Sequence, residues 1–321
     1  MSYKKKIEDA FDIRDKNGQI VPFVQNEAQD IYDKKRKLRN IILKIRQTGI
    51  SSKILGDYAV DFITKPNYWN VSISYEEKAT QRLFIKVKDY LEAAMRNVQG
   101  VSITLKTNSK NELWNSANDA YFYIGTAGTR AFGRGDTIQN LHLSEMAWYK
   151  NTEFLKGVTD AVPHDGRIDI ESTANGFGNA YQLTWEKASS EEGSAYTPIF
   201  IGLADVGEYN FSNETYELLM GKPFVITVEE QEILDKYTHL GLKEGHLRFR
   251  RWKIASYTPE DLKSGNSPEK LFKQEYPITP EEAFLSSGSP FFDMDVLEFM
   301  LKQCKDPIKK GEIDLQGEFY V

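Results

Sequence analysis

The chain is poor in the residues that build disulfide frameworks and zinc centres. Its 321 residues include one cysteine, Cys304, which excludes an internal disulfide and a cysteine-based zinc site. The four histidines, His142, His164, His239 and His246, are scattered, with no H-x-x-x-H spacing. An excess of positive charge is missing too. The formal net charge is -6, so the whole molecule is not an electrostatic nucleic-acid binder, and any contact with DNA falls to a local basic patch. No apolar run approaches the roughly 20 residues of a membrane span. The opening "MSYKKKIEDA" lacks the apolar core of a secretory signal. There is no internal repeat and no low-complexity tract. These absences lead us to expect a soluble intracellular protein with no membrane partner.

What is present is enough apolar material for a sizeable core: 40% hydrophobic and 12% aromatic residues. The length suits one large domain or two small ones. Ile41-Ile42-Leu43 reads as a short buried strand. After Ser51 the apolar residues Leu55, Tyr58, Ala59, Phe62 and Ile63 keep helical spacing until Pro66. "WNVSIS", Trp69 to Ser74, is a second strand, and Ser74 with Glu77 has the pattern of a capping box. Ala79, Leu83, Val87, Leu91 and Met95 repeat every four residues and predict a helix. Val101 to Leu105, Ala120 to Ile124 and Leu141 to Leu143 read as further strands. A glycine-rich stretch, "GTAGTRAFGRGDT", precedes the last of these. A helix from about Thr152, a strand in "RIDIESTANG", a helix near Asn179 to Ala188 and a strand in "TPIFIGL" follow. Strands alternating with helices predict an α/β fold with a largely parallel sheet.

The segment "NIILKIRQTGISSKI", Asn40 to Ile54, lies between the first strand and its helix. It resembles a phosphate-binding loop, G-x-x-x-x-G-K-[ST], with its cation displaced. Lys44 stands where the first glycine belongs, Gly49 fills the second, Ile50 stands in the lysine's place and Ser51 follows. Backbone N–H groups at a helix N-terminus suit an anion. In doubly wound sheets ligands bind at the carboxyl ends of strands. Here three strand ends offer Lys44 to Ser51, then Ser144-Glu145, then Ser172-Thr173-Ala174-Asn175-Gly176. Phosphoryl transfer to water needs such a set: a cation, a Mg²⁺ ligand, a water-positioning group and a γ-phosphate sensor.

The ordered series "PFVQNEAQ", "LKIRQTGIS", "LHLSEMA", "IESTANG" and "FKQEYPITPEEAF" resembles the large terminase subunit of tailed bacteriophages, from about Pro22 to Phe292. These are ATPase motors that package DNA into procapsids. The resemblance implies a P-loop NTPase of the additional-strand, catalytic-glutamate class. It has a central, mostly parallel sheet flanked by helices and a small lid subdomain. It implies residues 1–204 as the ATPase core with its adenine-binding segment, 205–290 as the lid and 291–321 as the start of a linker.

Residue by residue, the resemblance gives Gln29 the adenine and Lys44 the β/γ-phosphates. Arg46 becomes a γ-phosphate sensor, with a solvated arginine as the alternative. Gln47, Thr48, Gly49, Ile50, Ser51 and Ser52 form the nucleotide-binding turn, with Ser51 on Mg²⁺, as N-cap, or both. Glu145 orients and activates the attacking water. Ser172, Thr173 and Asn175 form the coupling motif, and Arg134, in "AFGRGDT", acts as a finger reaching a neighbouring subunit. Catalysis thus falls to Glu145, Lys44, Arg46 and Arg134. One position departs from the pattern. Motors of this type carry Asp-Glu at the end of the middle strand, where this chain has Ser144-Glu145. A hydroxyl reaches a metal-bound water but supplies no charge, so Ser51 is the expected direct ligand.

Further implications are ATP as substrate, Mg²⁺, double-stranded DNA, a portal protein and a small terminase subunit as partners. A homo-oligomeric ring on the portal and a place in the host cytoplasm, docked on the procapsid, follow as well. Full-length relatives carry a two-metal nuclease domain. The chain ends at Val321, and the expectation is the ATPase half alone, without nuclease activity. "HLRFRRWK", His246 to Lys253, and "KKRKLR", Lys34 to Arg39, are basic stretches with two readings, contact with DNA or a neighbour, or a solvated face. A helicase-like or remodelling ATPase, and a non-hydrolysing structural subunit, stand as alternatives.

Overall fold

The computed structural model describes residues 2–128, 137–190, 194–262 and 267–285, with residues 300, 303, 312–313 and 319–320 beyond them. One compact unit spans Met1–Ser287 and a second spans Gly288–Val321. In the second, Glu312–Ile313 pairs antiparallel with Phe319–Tyr320.

The first unit opens with α1 (Tyr3–Ala10), a hairpin of β1 (Asp12–Arg14) and β2 (Ile20–Pro22), and α2 (Glu27–Lys35). The main run is β3 (Arg39–Lys44), α3 (Ile50–Thr64), β4 (Trp69–Ser74), α4 (Glu77–Asn97), β5 (Leu105–Asn108), β6 (Glu112–Asn115) and β7 (Ala120–Thr126). Then come β8 (Asn140–Ser144), a 3-10 turn at Met146–Trp148, α5 (Leu155–Asp160), β9 (Arg167–Ser172), α6 (Ala180–Ser189) and β10 (Thr197–Ile201). Among the described residues that follow are the helices α7 (Asn213–Met220), α8 (Val228–Tyr237), α9 (Glu244–Ala255), α10 (Pro268–Glu275) and α11 (Pro280–Leu285).

An eight-stranded sheet runs in the order β10-β3-β9-β8-β4-β7-β6-β5. Strands β10 through β7 are parallel, and β6 and β5 extend one edge antiparallel. Strand β9 lies between β3 and the middle strand β8, the place of the additional strand that the resemblance leads one to expect. Ile41, Ile42 and Leu43 are fully buried, as expected for a parallel strand covered on both faces. Ile42 joins an apolar cluster with α1 to α4, while Ile41 and Leu43 join another with Val158 of α5 and Tyr181 and Trp185 of α6. Alternation along the strand sends neighbours to opposite faces.

Helix α3 is buried along almost its whole length, charges included. Lys53 pairs with Asp57, and Asp57 also meets Arg36 and Arg167, which in turn reaches Asp169 at 2.7 Å. Breaking such a buried pair leaves an uncompensated charge, so the network fixes how α3 sits under the sheet and where its N-terminus points. The helix stops before Pro66, which disfavours helical backbone at Lys65.

Several local expectations need correcting. The strand expected at Val101 to Leu105 begins at Leu105. Val101, Ile103 and Leu105 do pack against the core, so their alternation reports burial, but the ladder with β6 starts only where the register allows. Ser74 does not cap the following helix. It is still in the ladder opposite Thr126, and Glu76 is the N-cap, with no side-chain bond. The helix expected from about Thr152 begins at Leu155. Strands β1, β2 and β6 have no counterpart in the sequence pattern. The helices after residue 205 share an apolar cluster with the sheet: Tyr209, Leu247, Phe249, Phe272 and Tyr276 join Phe23, Ile42 and Ile54.

Candidate active site

The loop after β3 is held from outside. Ile45 N–H donates to the Ile201 carbonyl at 3.1 Å and Arg46 N–H to the Glu275 carbonyl at 3.2 Å. Asn26 Nδ2 donates to the Thr48 carbonyl at 3.1 Å and Gln29 Nε2 to the Gly49 carbonyl at 2.8 Å. Gln47 and Gly49 have φ of 57° and 76°, the left-handed region that costs a residue with a Cβ. At Gly49 a Cβ would also lie 2.8 Å from Gln29 Nε2, so this position demands glycine. The first turn of α3 has no side-chain cap, which leaves its N–H groups for an anion.

Lys44, at the carboxyl end of β3, is buried. Its Nζ lies 2.8 Å from Glu145 Oε1 and 3.0 Å from Glu171 Oε2. Glu145 follows β8 with φ of 55°, another left-handed residue with a Cβ, and its side chain is 26% exposed. Its other oxygen accepts from Ser172 Oγ at 3.3 Å and Thr173 N–H at 3.2 Å. Glu171, near the end of β9, is fully buried. Its Oε1 accepts from Ser51 Oγ and Ser144 Oγ, each at 2.7 Å, with His142 Nε2 at 3.3 Å. His142 Nδ1 in turn meets Ser72 Oγ at 3.0 Å. Burial pulls the Glu171 carboxyl up, but the Lys44 charge and the bonds from His142 and Ser51 outweigh it and hold the group well below the usual carboxylate range. Burial pulls the Lys44 ammonium down, and Glu145 and Glu171 together reverse this and hold it above its ordinary value.

A cleft of about 630 Å³ opens over these groups, lined by Lys44, Arg46, Gln47, Tyr75, Glu145, Trp148, Thr173, Lys253 and Tyr276. It combines cations near a helix N-terminus, a carboxylate aimed into the space and aromatic walls. Such a site suits a polyphosphate ester more than an apolar ligand. Hydroxyl and carboxylate oxygens at Ser51, Ser144 and Glu171 form the hard donor set that Mg²⁺ prefers.

The sequence-predicted residues largely converge. Lys44, Gln47, Glu145 and Thr173 line the cleft, and Arg46 joins them while pairing with Glu275 at 2.8 Å. Ser51, Ser144 and Ser172 lie just behind. Thr48 is buried with its hydroxyl unbonded, and Ile50 is buried as the first residue of α3. Gln29 caps α2 with Asn26 and braces the loop through Gly49. Ser52 accepts from Lys86 Nζ at 2.8 Å. Asn175 bonds the Ala147 carbonyl at 3.1 Å rather than Glu145. Arg134 lies outside the described residues. In the basic stretch of α9, Arg248 is bound to Glu244 and Arg251 to Glu230, so these two are neutralised internally, whereas Lys253 faces the cleft. Arg36 is likewise bound to Asp57. Sequence reasoning missed Glu171, Tyr75, Trp148 and Tyr276. For Glu171 a signal existed: a carboxylate beside Ile170 in a buried strand requires a partner.

No family model matches the chain, and no curated protein matches its sequence. Solved structures do match its fold. It is similar to the ATPase domain of the Thermus phage P74-26 large terminase, solved as an arginine-to-alanine mutant. The TM-score is 0.51 at 12% identity, over 78% of this chain and 92% of that one. It is also similar to the large terminase of bacteriophage HK97, with a TM-score of 0.58 at 15% identity, over 92% of this chain and 57% of that one. The fold is therefore that of a phage large-terminase ATPase domain, and the chain spans little more than half the length of the HK97 protein.

Proposed function

We propose that this chain, with its large-terminase ATPase fold, hydrolyses Mg·ATP in the cleft and couples hydrolysis to moving double-stranded DNA into a viral procapsid. The observation that carries the reading is the Lys44 ammonium held between Glu145 and Glu171 beside an uncapped helix N-terminus. An incoming polyphosphate competes with these carboxylates for Lys44, draws in the N–H groups of the loop, and frees Glu145 to accept a proton from water. Proton acceptance of this kind contributes about 10² to 10⁴ in rate. Mg²⁺, held by hydroxyls at Ser51 and Ser144, would neutralise phosphate charge.

Movement begins where Glu145 touches Ser172 and Thr173. A change at Glu145 is felt at once by the 172–175 segment, whose Ala174 carbonyl accepts from Gln274 Nε2 of α10 at 3.1 Å. Glu275 beside it holds Arg46. The helices after residue 205 act as the lid and read both the phosphate loop and the coupling segment. Gln29 contacts adenine, Arg134 reaches a neighbour's phosphates, and the motor works as a ring with portal and small subunit on a procapsid in the host cytoplasm.

The test is phosphate release from Mg·ATP by the purified chain, alone and with double-stranded DNA, beside Lys44→Ala. Turnover that vanishes in the variant supports the reading. Absence of turnover in the wild type, under conditions where ring assemblies form, would favour a non-hydrolysing structural subunit. Strand separation rather than duplex movement would favour a helicase.

A further inference from the structure

Position 144, where motors of this fold carry a metal-holding aspartate, has only a hydroxyl. Yet the neighbouring strand places a fully buried carboxylate at that point. Ser51 Oγ, from the first turn of α3, and Ser144 Oγ, from the end of β8, both donate to one atom, Glu171 Oε1, at 2.7 Å. The other oxygen of Glu171 is buried and has Lys44 Nζ as its partner at 3.0 Å. His142, braced by Ser72, lies behind Oε1. A polar partner behind a ligating carboxylate is the arrangement that fixes metal ligands.

We propose that Glu171 is the anionic ligand of the Mg²⁺ site, so that the carboxylate missing from β8 is supplied by β9. The proposal rests on the nucleotide-site reading above. Charge balance carries it further. Once phosphates draw Lys44 away, Glu171 is left fully buried with two hydroxyls and the His142 ring around it. A buried carboxylate that loses its lysine partner is penalised, and a hard cation among Ser51, Ser144 and Glu171 offsets that loss. The same ion compensates the carboxylate and the phosphates. Metal and nucleotide should therefore bind with strong mutual dependence.

The experiment measures ATP affinity by competition with a fluorescent ATP analogue, in excess EDTA and in excess Mg²⁺, with thermal melts to verify folding. In the wild type Mg²⁺ is expected to tighten ATP binding. In Glu171→Gln that tightening should shrink at least about tenfold, while affinity in EDTA is kept or improved. The double variant Glu171→Gln/Ser144→Asp returns a carboxylate to the same pocket and should restore the Mg²⁺ effect. An undiminished Mg²⁺ effect in Glu171→Gln overturns the proposal. So does a loss that Ser144→Asp does not restore, since a merely structural glutamate would behave that way. If Glu171→Gln does not fold, Glu171→Asp keeps the charge but shortens the side chain by one methylene and draws the carboxylate back from Ser51, Ser144 and Lys44. A wild-type Mg²⁺ effect there overturns the proposal and a reduced one supports it. Absence of ATP binding by the wild type in either buffer contradicts the nucleotide site itself, a separate outcome.

Discussion

Glu145→Gln separates binding from chemistry, and the structure sets the size of each effect. The substitution removes one charge but keeps the shape of the side chain. Lys44 loses its 2.8 Å partner yet keeps Glu171 at 3.0 Å, and the amide oxygen still accepts from Thr173 N–H. Glu145 is partly exposed and the buried Lys44 keeps Glu171, so the loss should stay below the roughly 3–5 kcal/mol of breaking a fully buried pair. The variant should therefore still fold. ATP binding should be kept or improved, because a negative charge has left the phosphate site. Hydrolysis should fall by about 10² to 10⁴, or roughly 3–5 kcal/mol of barrier, since an amide cannot take the proton. Single-turnover phosphate release at saturating Mg·ATP reads the chemistry, a fluorescent nucleotide reads binding, and a thermal melt reads folding. Wild-type turnover in a folded, nucleotide-bound variant would refute the assignment of Glu145.

Other sites give further predictions. Gly49→Ala should destabilise the chain by about 1–2 kcal/mol and weaken nucleotide binding, because its left-handed φ strains a residue with a Cβ and the added methyl displaces the Gln29 amide that braces the loop; denaturant midpoints and nucleotide titration check both. Burial, and then the adjacent Lys243 charge, push the His246 pKa from its ordinary 6.5 down to about 4, so the unfolded chain takes up this proton at a higher pH than the folded one. The stability held in the neutral imidazole is therefore fully present above about pH 6.5 and is lost as pH falls toward 4, by about 3 kcal/mol at most. His246→Asn, which can still accept from Lys243 N–H, should flatten that part of the profile, and an unchanged slope in urea melts between pH 6.5 and 4 would contradict it.

Much of the sheet is legible because buried parallel strands read as apolar runs, as Ile41 to Leu43 do, and because a loop that must accommodate left-handed backbone shows its glycine, Gly49. The order of strand ends then puts Lys44, Glu145 and Thr173 around one cleft. Glu171 is not legible in the same way. Its role depends on which strand lies beside β3, and one strand's sequence does not state its neighbour. The left-handed backbone at Glu145 carries no glycine to announce it. Strands β1, β2 and β6 are three or four residues long, too short for periodicity to register. The helices after residue 205 attach through aromatic side chains spread from Tyr209 to Tyr276, contacts that only the folded chain brings together.

A crystal structure of Glu145→Gln with Mg·ATP would decide whether the cleft is a triphosphate site. The triphosphate should lie against the first turn of α3, with Lys44 Nζ turned from Glu171 to a phosphate oxygen. Nucleotide bound elsewhere, or Lys44 still resting on Glu171 with the cleft occupied, would contradict the proposed function.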